Sequence, residues 1–207
     1  MDIDSIIFDL DGTLWDSSKT VAQSWTQVVQ ESPYGKGKIT EEDLSKTMGL
    51  QTQEIAAILF DYLDEEKQME LILACCQQEQ DDLLRKGGIL YPQLEETLLA
   101  LSKKFRLFIV SNCQEGYIET FYAFHKLEKY FLDFENPGRT GLSKGENIQL
   151  VMERNHIKKA VYVGDTQGDM LSAKFAGIPF VFASYGFGKP EAYDYIIEKP
   201  IDLLNIF

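Results

Sequence analysis

The chain has 207 residues, 44% of them apolar and 26% charged, a composition typical of a globular protein with a sizeable core. Its formal net charge of −13 at pH 7 argues against a nucleic-acid or anionic-membrane binder, because both partners require a basic surface. No apolar stretch approaches the ~18 residues of a membrane span, and the acidic start MDIDS lacks the positive region of a signal peptide. We therefore expect a cytoplasmic protein without membrane or nucleic-acid partners.

The first predicted element is a short strand that ends in two carboxylates, within IIFDLDGTLWDS (residues 6–17). The continuous apolar run before Asp9 is typical of a parallel strand covered on both faces. Asp9 and Asp11 therefore follow its carboxyl end, where open α/β sheets bind their ligands. An Asp-Gly turn alone would leave the spacing of the two carboxylates unexplained. Because adjacent carboxylates repel one another and lose hydration, the pattern predicts a compensating metal or substrate.

A long helical block without a convincing strand follows at residues 16–88. Thr40 and Asp64, each followed by acidic residues, indicate helix starts, and Gly87-Gly88 indicates the last helix end. The Gly/Lys-rich stretch 32–38 fits a solvated turn better than a binding loop. The block carries seven Lys and Arg against fourteen Asp and Glu, and the chain's three cysteines form no C-x-x-C pair. We expect a helical insertion without a disulfide framework or a zinc site.

Beyond the block, apolar segments alternate with helical patterns. The predicted strands are 106–111, 159–164, 179–184 and 195–198, and the predicted helices are 92–105, one within 114–124, 144–155 and one that ends at Gly177. Strands that alternate with helices form βαβ units. The sequence therefore predicts an α/β fold with a parallel sheet.

A second acidic pair closes the 159–164 segment, as Asp165 and Asp169 within GDTQGD. Taken alone, these two residues fit a helix N-cap and a first-turn acid equally well. Two strand ends of one parallel sheet that both carry carboxylates can instead converge on one hard cation such as Mg²⁺. The two acidic clusters together favour a Mg²⁺ site.

Two further features suit an anion. Ser111-Asn112 closes the 106–111 strand with a hydroxyl, a side-chain amide and backbone amides at the start of the following helix, and Lys144 begins a predicted helix, where a cation opposes the helix dipole. An N-cap and a surface lysine are the alternatives. Combined with the carboxylates, these residues resemble the parts needed for phosphoryl transfer, with one carboxylate free to attack phosphorus.

The motifs DLDGTL, VSN, a helix-starting Lys and GDTQGD, in this order, resemble the four motifs of the haloacid dehalogenase superfamily of phosphohydrolases. The resemblance covers nearly the whole chain, which is most similar to phosphoglycolate phosphatase-like and β-phosphoglucomutase-like members. It implies a Rossmann-like parallel sheet with helices on both faces, formed by residues 1–15 and 89–207. The inserted residues 16–88 would then form an all-helical cap domain.

The resemblance also implies roles for the acidic residues. Asp9 would be the nucleophile and would bind Mg²⁺. Asp11 would be the general acid and later the general base, with its backbone carbonyl as a metal ligand. Asp165 would supply a further metal-binding carboxylate, and Asp169 would support the metal-binding residues without binding the metal itself. Physical chemistry agrees, because a protonated Asp11 can donate its proton to a leaving alcohol and then activate water.

The remaining implied roles concern the phosphoryl group. Ser111 and the catalytic Lys144 would hold its oxygens, with help from the amide of Asn112, while Thr13 would steady the turn after the first strand. Phosphoglycolate phosphatases often continue the second motif with a basic residue, whereas Cys113 and a glutamine follow here, which argues against phosphoglycolate itself.

We therefore expect a Mg²⁺-dependent phosphatase that acts on a small phosphate monoester through an aspartyl-phosphate. A sugar-phosphate mutase of the β-phosphoglucomutase type is the main alternative. A receiver-like phospho-acceptor and an inactive binding protein are weaker ones. Lys36 and Lys38 are candidate contacts for a second anionic group on the substrate.

Overall fold

The computed structural model describes residues 3–207, and within this range a six-stranded parallel sheet forms the core. The strands of the chain are β1 (Ser5–Phe8), β2 (Trp15–Asp16), β3 (Ile89–Leu90), β4 (Arg106–Val110), β5 (Asp133–Glu135), β6 (Ala160–Gly164), β7 (Phe180–Ala183) and β8 (Tyr195–Ile197). The order in the core sheet is β5-β4-β1-β6-β7-β8, so β1 lies near the centre between β4 and β6.

The central position of β1 follows from its apolar residues. Ile7 lies opposite Phe108 on one side and Tyr162 on the other, and all three side chains are fully buried. Successive side chains of a strand point to opposite faces, so a strand that is apolar throughout has to be covered on both. The register aligns the carboxyl ends of β1, β4 and β6, which brings the residues that follow them to one edge of the sheet.

Helices cover both faces of this sheet. They are α1 (Ser18–Glu31), α2 (Glu41–Ser45), α3 (Thr52–Leu59), α4 (Glu65–Lys86), α5 (Leu94–Leu101), α6 (Tyr117–His125), α7 (Pro137–Thr140), α8 (Lys144–Arg154), α9 (Gln167–Ala176) and α10 (Leu203–Ile206). The buried residues of α8 and α9 join Ile7 in one hydrophobic cluster, whereas those of α5 and α6 join Ile6 in another. The predicted α/β fold is confirmed.

The helices α1 to α4 form the cap, and a short antiparallel pairing of β2 with β3 marks its two connections to the sheet. As predicted, Thr40 and Asp64 cap α2 and α4, and Gly87 ends α4. The stretch 32–38 is irregular. The division into residues 1–15 with 89–207 and residues 16–88 stays a prediction, which the pairing of Trp15 with Leu90 supports.

The structure corrects two expectations. Strand β5 was not predicted, because its sequence DFE offers a single apolar residue; ion pairs from Arg154 to Asp133 and Glu135 hold it at the edge of the sheet. Ser111 and Asn112 do not lie at a helix start, because α6 begins only at Tyr117. None of the helices within residues 3–207 combines the length and apolar character that a membrane span requires.

Candidate active site

A buried lysine bridges two aspartates at the carboxyl end of the sheet. Asp9 follows β1, and its backbone N–H donates to the Val163 carbonyl at 2.8 Å, which continues the sheet pairing. The Lys144 Nζ, at the first residue of α8, lies 2.9 Å from Asp9 Oδ1 and 2.6 Å from Asp169 Oδ1. Lys144 and Asp9 are each only 3% exposed. The lysine therefore contributes its charge to the site rather than to the surface.

Asp169 has two functions in this arrangement. Its Oδ2 accepts hydrogen bonds from the backbone N–H groups of Asp165 at 3.0 Å and Thr166 at 2.9 Å, and it completes a capping box at the start of α9. Its other oxygen, Oδ1, accepts from Lys144. Asp169 is a first-turn acid of α9, but the N-cap is Thr166 and not Asp165, which corrects that part of the helix-cap interpretation. Because a different oxygen contacts Lys144, a supporting role of Asp169 in the site is compatible with the cap and stays a prediction.

Asp165 completes a group of carboxylates that suits a metal ion. One oxygen each of Asp9, Asp165 and Asp169 lies within 4.8 Å of the others. Asp165 Oδ2 accepts the Phe187 N–H at 2.6 Å, while its Oδ1 is buried without a hydrogen-bond partner among residues 3–207. Oxygen ligands from carboxylates are those that Mg²⁺ prefers. The partnerless buried oxygen fits a cation at this point.

Gly12 makes the close approach of the first and fourth motifs possible. Its φ of +78° favours glycine, and a Cβ added there would lie 2.4 Å from Asp165 Oδ2. Any other residue would push the Asp165 carboxylate away or distort the turn. The glycine of DLDGTL is therefore required by packing as well as by backbone conformation.

The site concentrates negative charge in a buried environment. Burial, and then the neighbouring Asp169 carboxylate, raise the pKa of Asp9 to about 7 despite the opposing effect of Lys144. Burial, Asp169 and Asp9 together raise the pKa of Asp165 to about 8. Burial lowers the pKa of Lys144, but the carboxylates of Asp169 and Asp9 outweigh it and hold that pKa above its usual range. One lysine does not offset three carboxylates, so a bound cation would stabilise the site.

Asp11 lies in a different environment from Asp9. Its Oδ1 accepts a hydrogen bond from Ser17 Oγ at 2.6 Å, and the Tyr117 hydroxyl lies 3.1 Å from the same oxygen. Loss of hydration raises the pKa of Asp11 to about 6, against the lowering effect of these hydrogen bonds. A carboxyl with this pKa keeps its proton over part of the physiological pH range, as a general acid requires.

A cavity of about 80 Å³ lies between the sheet edge and the cap, and Asp9, Asp11, Ser111, Asn112 and Lys144 line it. The Asn112 side-chain amide donates to the Gly49 carbonyl of the cap at 2.7 Å, so it ties the core to the cap. The cavity has room for only a handful of water molecules.

Thr13 lies in the turn after β1 but not in the cavity lining. Its carbonyl accepts a hydrogen bond from the Tyr185 hydroxyl at 2.9 Å, and its own hydroxyl is buried without a partner among residues 3–207. Its part in substrate binding stays a prediction.

Within residues 3–207, the cap contributes one carboxyl group to the cavity lining, that of Glu79 in α4. It is 3% exposed; the Trp25 indole N–H donates to its Oε2, and the Gln114 side-chain amide donates to its Oε1. Burial raises the pKa of Glu79 to about 8, and the Asp11 carboxyl adds to this shift against the two hydrogen bonds. Glu79 therefore faces the same cavity as the two aspartates of the first motif.

The sequence profile described as haloacid dehalogenase-like hydrolase matches residues 6–183, which includes all the site residues of the core. This chain belongs to the haloacid dehalogenase-like hydrolases. A phosphoglycolate phosphatase from Vibrio parahaemolyticus is 28% identical, over 99% of this chain and 96% of its own length. Another from Aquifex aeolicus is 29% identical, over 97% of this chain and 95% of its own. A solved haloacid dehalogenase-like hydrolase from Streptococcus pneumoniae has the same fold, with a TM-score of 0.87, 24% identity and coverage of 99% and 98%.

Membership of this family confirms the predicted superfamily and the prediction that the chain is a phosphatase of the haloacid dehalogenase type. Sequence reasoning missed three residues that contact or surround the reacting groups, namely Ser17, Tyr117 and Glu79. Ser17 lies three residues after the end of the first motif, and its position was a usable signal. Tyr117 lies on α6 of the core, and its contact with Asp11 depends on how α6 packs beside β1. Glu79 lies on α4, and its place in the same cavity depends on how the cap packs against the core.

Proposed function

We propose that this hydrolase is a Mg²⁺-dependent phosphatase that cleaves small phosphate monoesters through an aspartyl-phosphate at Asp9. The observation that carries the proposal is the buried cluster of Asp9, Lys144, Asp165 and Asp169 at a small cavity between the core and the cap. Two carboxylate clusters, a lysine and a hydroxyl at one sheet edge suit a phosphoryl group and its counter-ion.

The metal would be held by the carboxylates of Asp9 and Asp165 and by the backbone carbonyl of Asp11, with Asp169 as a support behind them. When bound, Mg²⁺ would neutralise charge on the phosphoryl oxygens and on the carboxylates. The oxygen donors and the partnerless Asp165 Oδ1 support this assignment. Lys144 and Ser111 would hold the phosphoryl oxygens, with help from Asn112, while Thr13 would keep the turn in position.

In the first step, an Asp9 carboxylate oxygen attacks phosphorus and forms an aspartyl-phosphate. The bond between phosphorus and the alcohol oxygen breaks, and Asp11 donates its proton to that oxygen, so a neutral alcohol leaves. In the second step, Asp11 accepts a proton from water as the water oxygen attacks phosphorus. The bond between phosphorus and Asp9 then breaks, which releases inorganic phosphate and restores both aspartates.

The cap supports a preference for small substrates. The helical cap supplies most of the residues that line the cavity of about 80 Å³, and the hydrogen bond from Asn112 to Gly49 joins the core to the cap beside it. A phosphopeptide or a nucleic-acid end would hold the cap open and leave the site accessible to bulk water. A cytoplasmic small-molecule phosphatase, without nucleic-acid or membrane partners, is the function that these features favour.

The test is phosphate release from p-nitrophenyl phosphate and small alkyl phosphates by the purified chain. We expect turnover with Mg²⁺, loss of activity with EDTA, recovery on readdition of Mg²⁺ and poor replacement by Ca²⁺, which takes more ligands. A hexose 1-phosphate, followed for both free phosphate and the isomeric sugar phosphate, separates hydrolysis from transfer within a sugar. Full activity in metal-free buffer, or isomerisation without phosphate release, would contradict the proposal.

A further inference from the structure

Glu79 of the cap lines the cavity, but the proposed two-step reaction gives it no role. Glu79 is nine-tenths buried or more, and each of its oxygens accepts one hydrogen bond within residues 3–207, from Trp25 or from Gln114. A carboxylate oxygen can accept two hydrogen bonds. Glu79 therefore keeps one acceptor position on each oxygen while it faces the cavity.

The rest of the cap wall is mainly apolar. Its apolar members are Val21, Leu44, Met48, Leu50, Ile55 and Cys76. Lys144 is the one cation in the lining within residues 3–207, and its ammonium is already paired with Asp9 and Asp169. The two candidate cap lysines do not reach the cavity: Lys36 and Lys38 are exposed, and Lys36 lies against the Tyr62 ring. The expectation that they contact a second anionic group is therefore not supported by their position.

We propose that Glu79 selects phosphate esters whose alcohol part carries a hydroxyl or an ammonium group and no second anion. This inference rests on the proposed phosphatase function. In its ionised form, Glu79 accepts a hydrogen bond from such a hydroxyl or ammonium at its free acceptor positions, as buried polar groups require. A carboxylate in the same place meets the ionised Glu79 and a mainly apolar cap wall, and the lining within residues 3–207 offers no unpaired cation to offset its loss of hydration. The preferred substrate class therefore differs from phosphoglycolate, the substrate after which the two relatives are named.

Four two- and three-carbon esters test this inference directly. They are 2-hydroxyethyl phosphate, 2-aminoethyl phosphate, n-propyl phosphate and 2-phosphoglycolate, which share the first methylene carbon and differ in the group beyond it. We measure kcat/KM for each with Mg²⁺ at pH 9, above the Glu79 pKa of about 8, so that Glu79 carries its charge, and use p-nitrophenyl phosphate as a reference for the chemistry. The hydroxyl and ammonium esters distinguish the two sources of the donated hydrogen bond, and a preference for either supports the inference.

We expect at least one donor-bearing ester to exceed n-propyl phosphate by about tenfold or more, as a hydrogen bond to a charged group allows. The advantage over 2-phosphoglycolate should be larger still. Equal or faster hydrolysis of 2-phosphoglycolate, or equal rates for n-propyl phosphate and both donor-bearing esters, overturns the inference. If p-nitrophenyl phosphate is cleaved in these cases, the proposed phosphatase function survives. If no ester is cleaved, the proposed function fails and the inference fails with it.

The variant Glu79→Gln sharpens the test, with Glu66→Gln, an exposed residue of the same helix, as the matched control. The amide keeps the shape but loses the charge and one acceptor oxygen. We expect the ratio between the donor-bearing esters and n-propyl phosphate to fall several-fold in Glu79→Gln and to stay unchanged in Glu66→Gln. Unchanged ratios in a folded Glu79→Gln overturn the inference. If Glu79→Gln does not fold, the ratios of kcat/KM between the esters for the wild-type protein still test the inference.

Discussion

The core residues and the cap residues that line the cavity differ in how the charges of their carboxylates are compensated. On the core side, Lys144 compensates Asp9 and Asp169 directly, and the carboxylates that remain suit a metal ion. On the cap side, Glu79 is hydrogen-bonded within residues 3–207 to two neutral groups, the Trp25 indole and the Gln114 amide. In the proposed account, the core with its metal ion would neutralise the phosphoryl anion, whereas the ionised Glu79 of the cap would repel a second anion. The difference separates the chemistry, assigned to the core, from the choice of substrate, assigned to the cap.

The strongest test of the core half is Asp9→Asn. The amide is nearly isosteric, but it neither attacks phosphorus nor binds Mg²⁺ well, so kcat on p-nitrophenyl phosphate should fall by orders of magnitude. The melting temperature should show that the fold is retained. The control is Asp61→Asn, an exposed aspartate of the cap, which should keep wild-type activity. Wild-type rates in Asp9→Asn, once deamidation has been excluded by mass spectrometry, would rule out Asp9 as the nucleophile.

The next largest effect is expected for Asp11→Asn. Loss of the general acid should lower kcat on an alkyl phosphate by about 10²–10⁴-fold. The loss should be smaller on p-nitrophenyl phosphate in the first step, because its leaving group needs no proton. The measurement is the ratio of the two losses. Equal losses on both substrates would argue that Asp11 acts on the second step or on the metal alone.

These two aspartates also show how much the sequence could predict. The motif spacing predicts both carboxylate clusters, Lys144 and the sheet, because parallel strands bring their carboxyl ends to one edge whatever the loops do. Ser17 could have been found by its position after the first motif. Glu79 could not, because α4 carries many acids, and only the packing of the cap against the core decides which of them lines the cavity with Asp11.

A smaller effect, on stability rather than rate, is expected from removing the lysine of the core half. Lys144→Met leaves Asp9 and Asp169 buried without their cation, so the free energy of unfolding in EDTA at pH 8 should fall by about 3–5 kcal/mol. Mg²⁺ should recover part of this loss. The control Lys103→Met replaces an exposed lysine and should change stability by about 0.5 kcal/mol or less. A loss no larger than that of the control would show that the ion pairs do not hold the core together.

The smallest expected effect is the pH dependence of folding stability that the cap residue Glu79 causes. The pKa of Glu79 is raised to about 8 in the folded chain, above the value of 4.5 expected when unfolded, so the folded state holds the proton more tightly. The resulting stabilisation is complete below pH 4.5 and is lost as the pH rises through about 8. Relative to Glu79→Gln, the wild type should lose stability on the order of a few kcal/mol between pH 5 and pH 9.

The measurement is the difference in melting temperature between wild type and Glu79→Gln across this pH range, with Mg²⁺ constant. The other buried carboxyls are common to both chains, so their titration cancels in the difference. A difference that does not change with pH would mean that Glu79 is not charged and desolvated as described, and the contrast between core and cap would lose its physical basis.

Trapping of the covalent intermediate tests the central claim most directly, namely that Asp9 attacks phosphorus. The chain is quenched in acid during turnover with Mg²⁺ and 2-hydroxyethyl phosphate, reduced with borohydride and digested for peptide mass spectrometry. Borohydride converts an aspartyl-phosphate to homoserine, so the account predicts homoserine at position 9, and none at that position without substrate. Reduction at another aspartate, or steady phosphate release with no modification of Asp9, would contradict it.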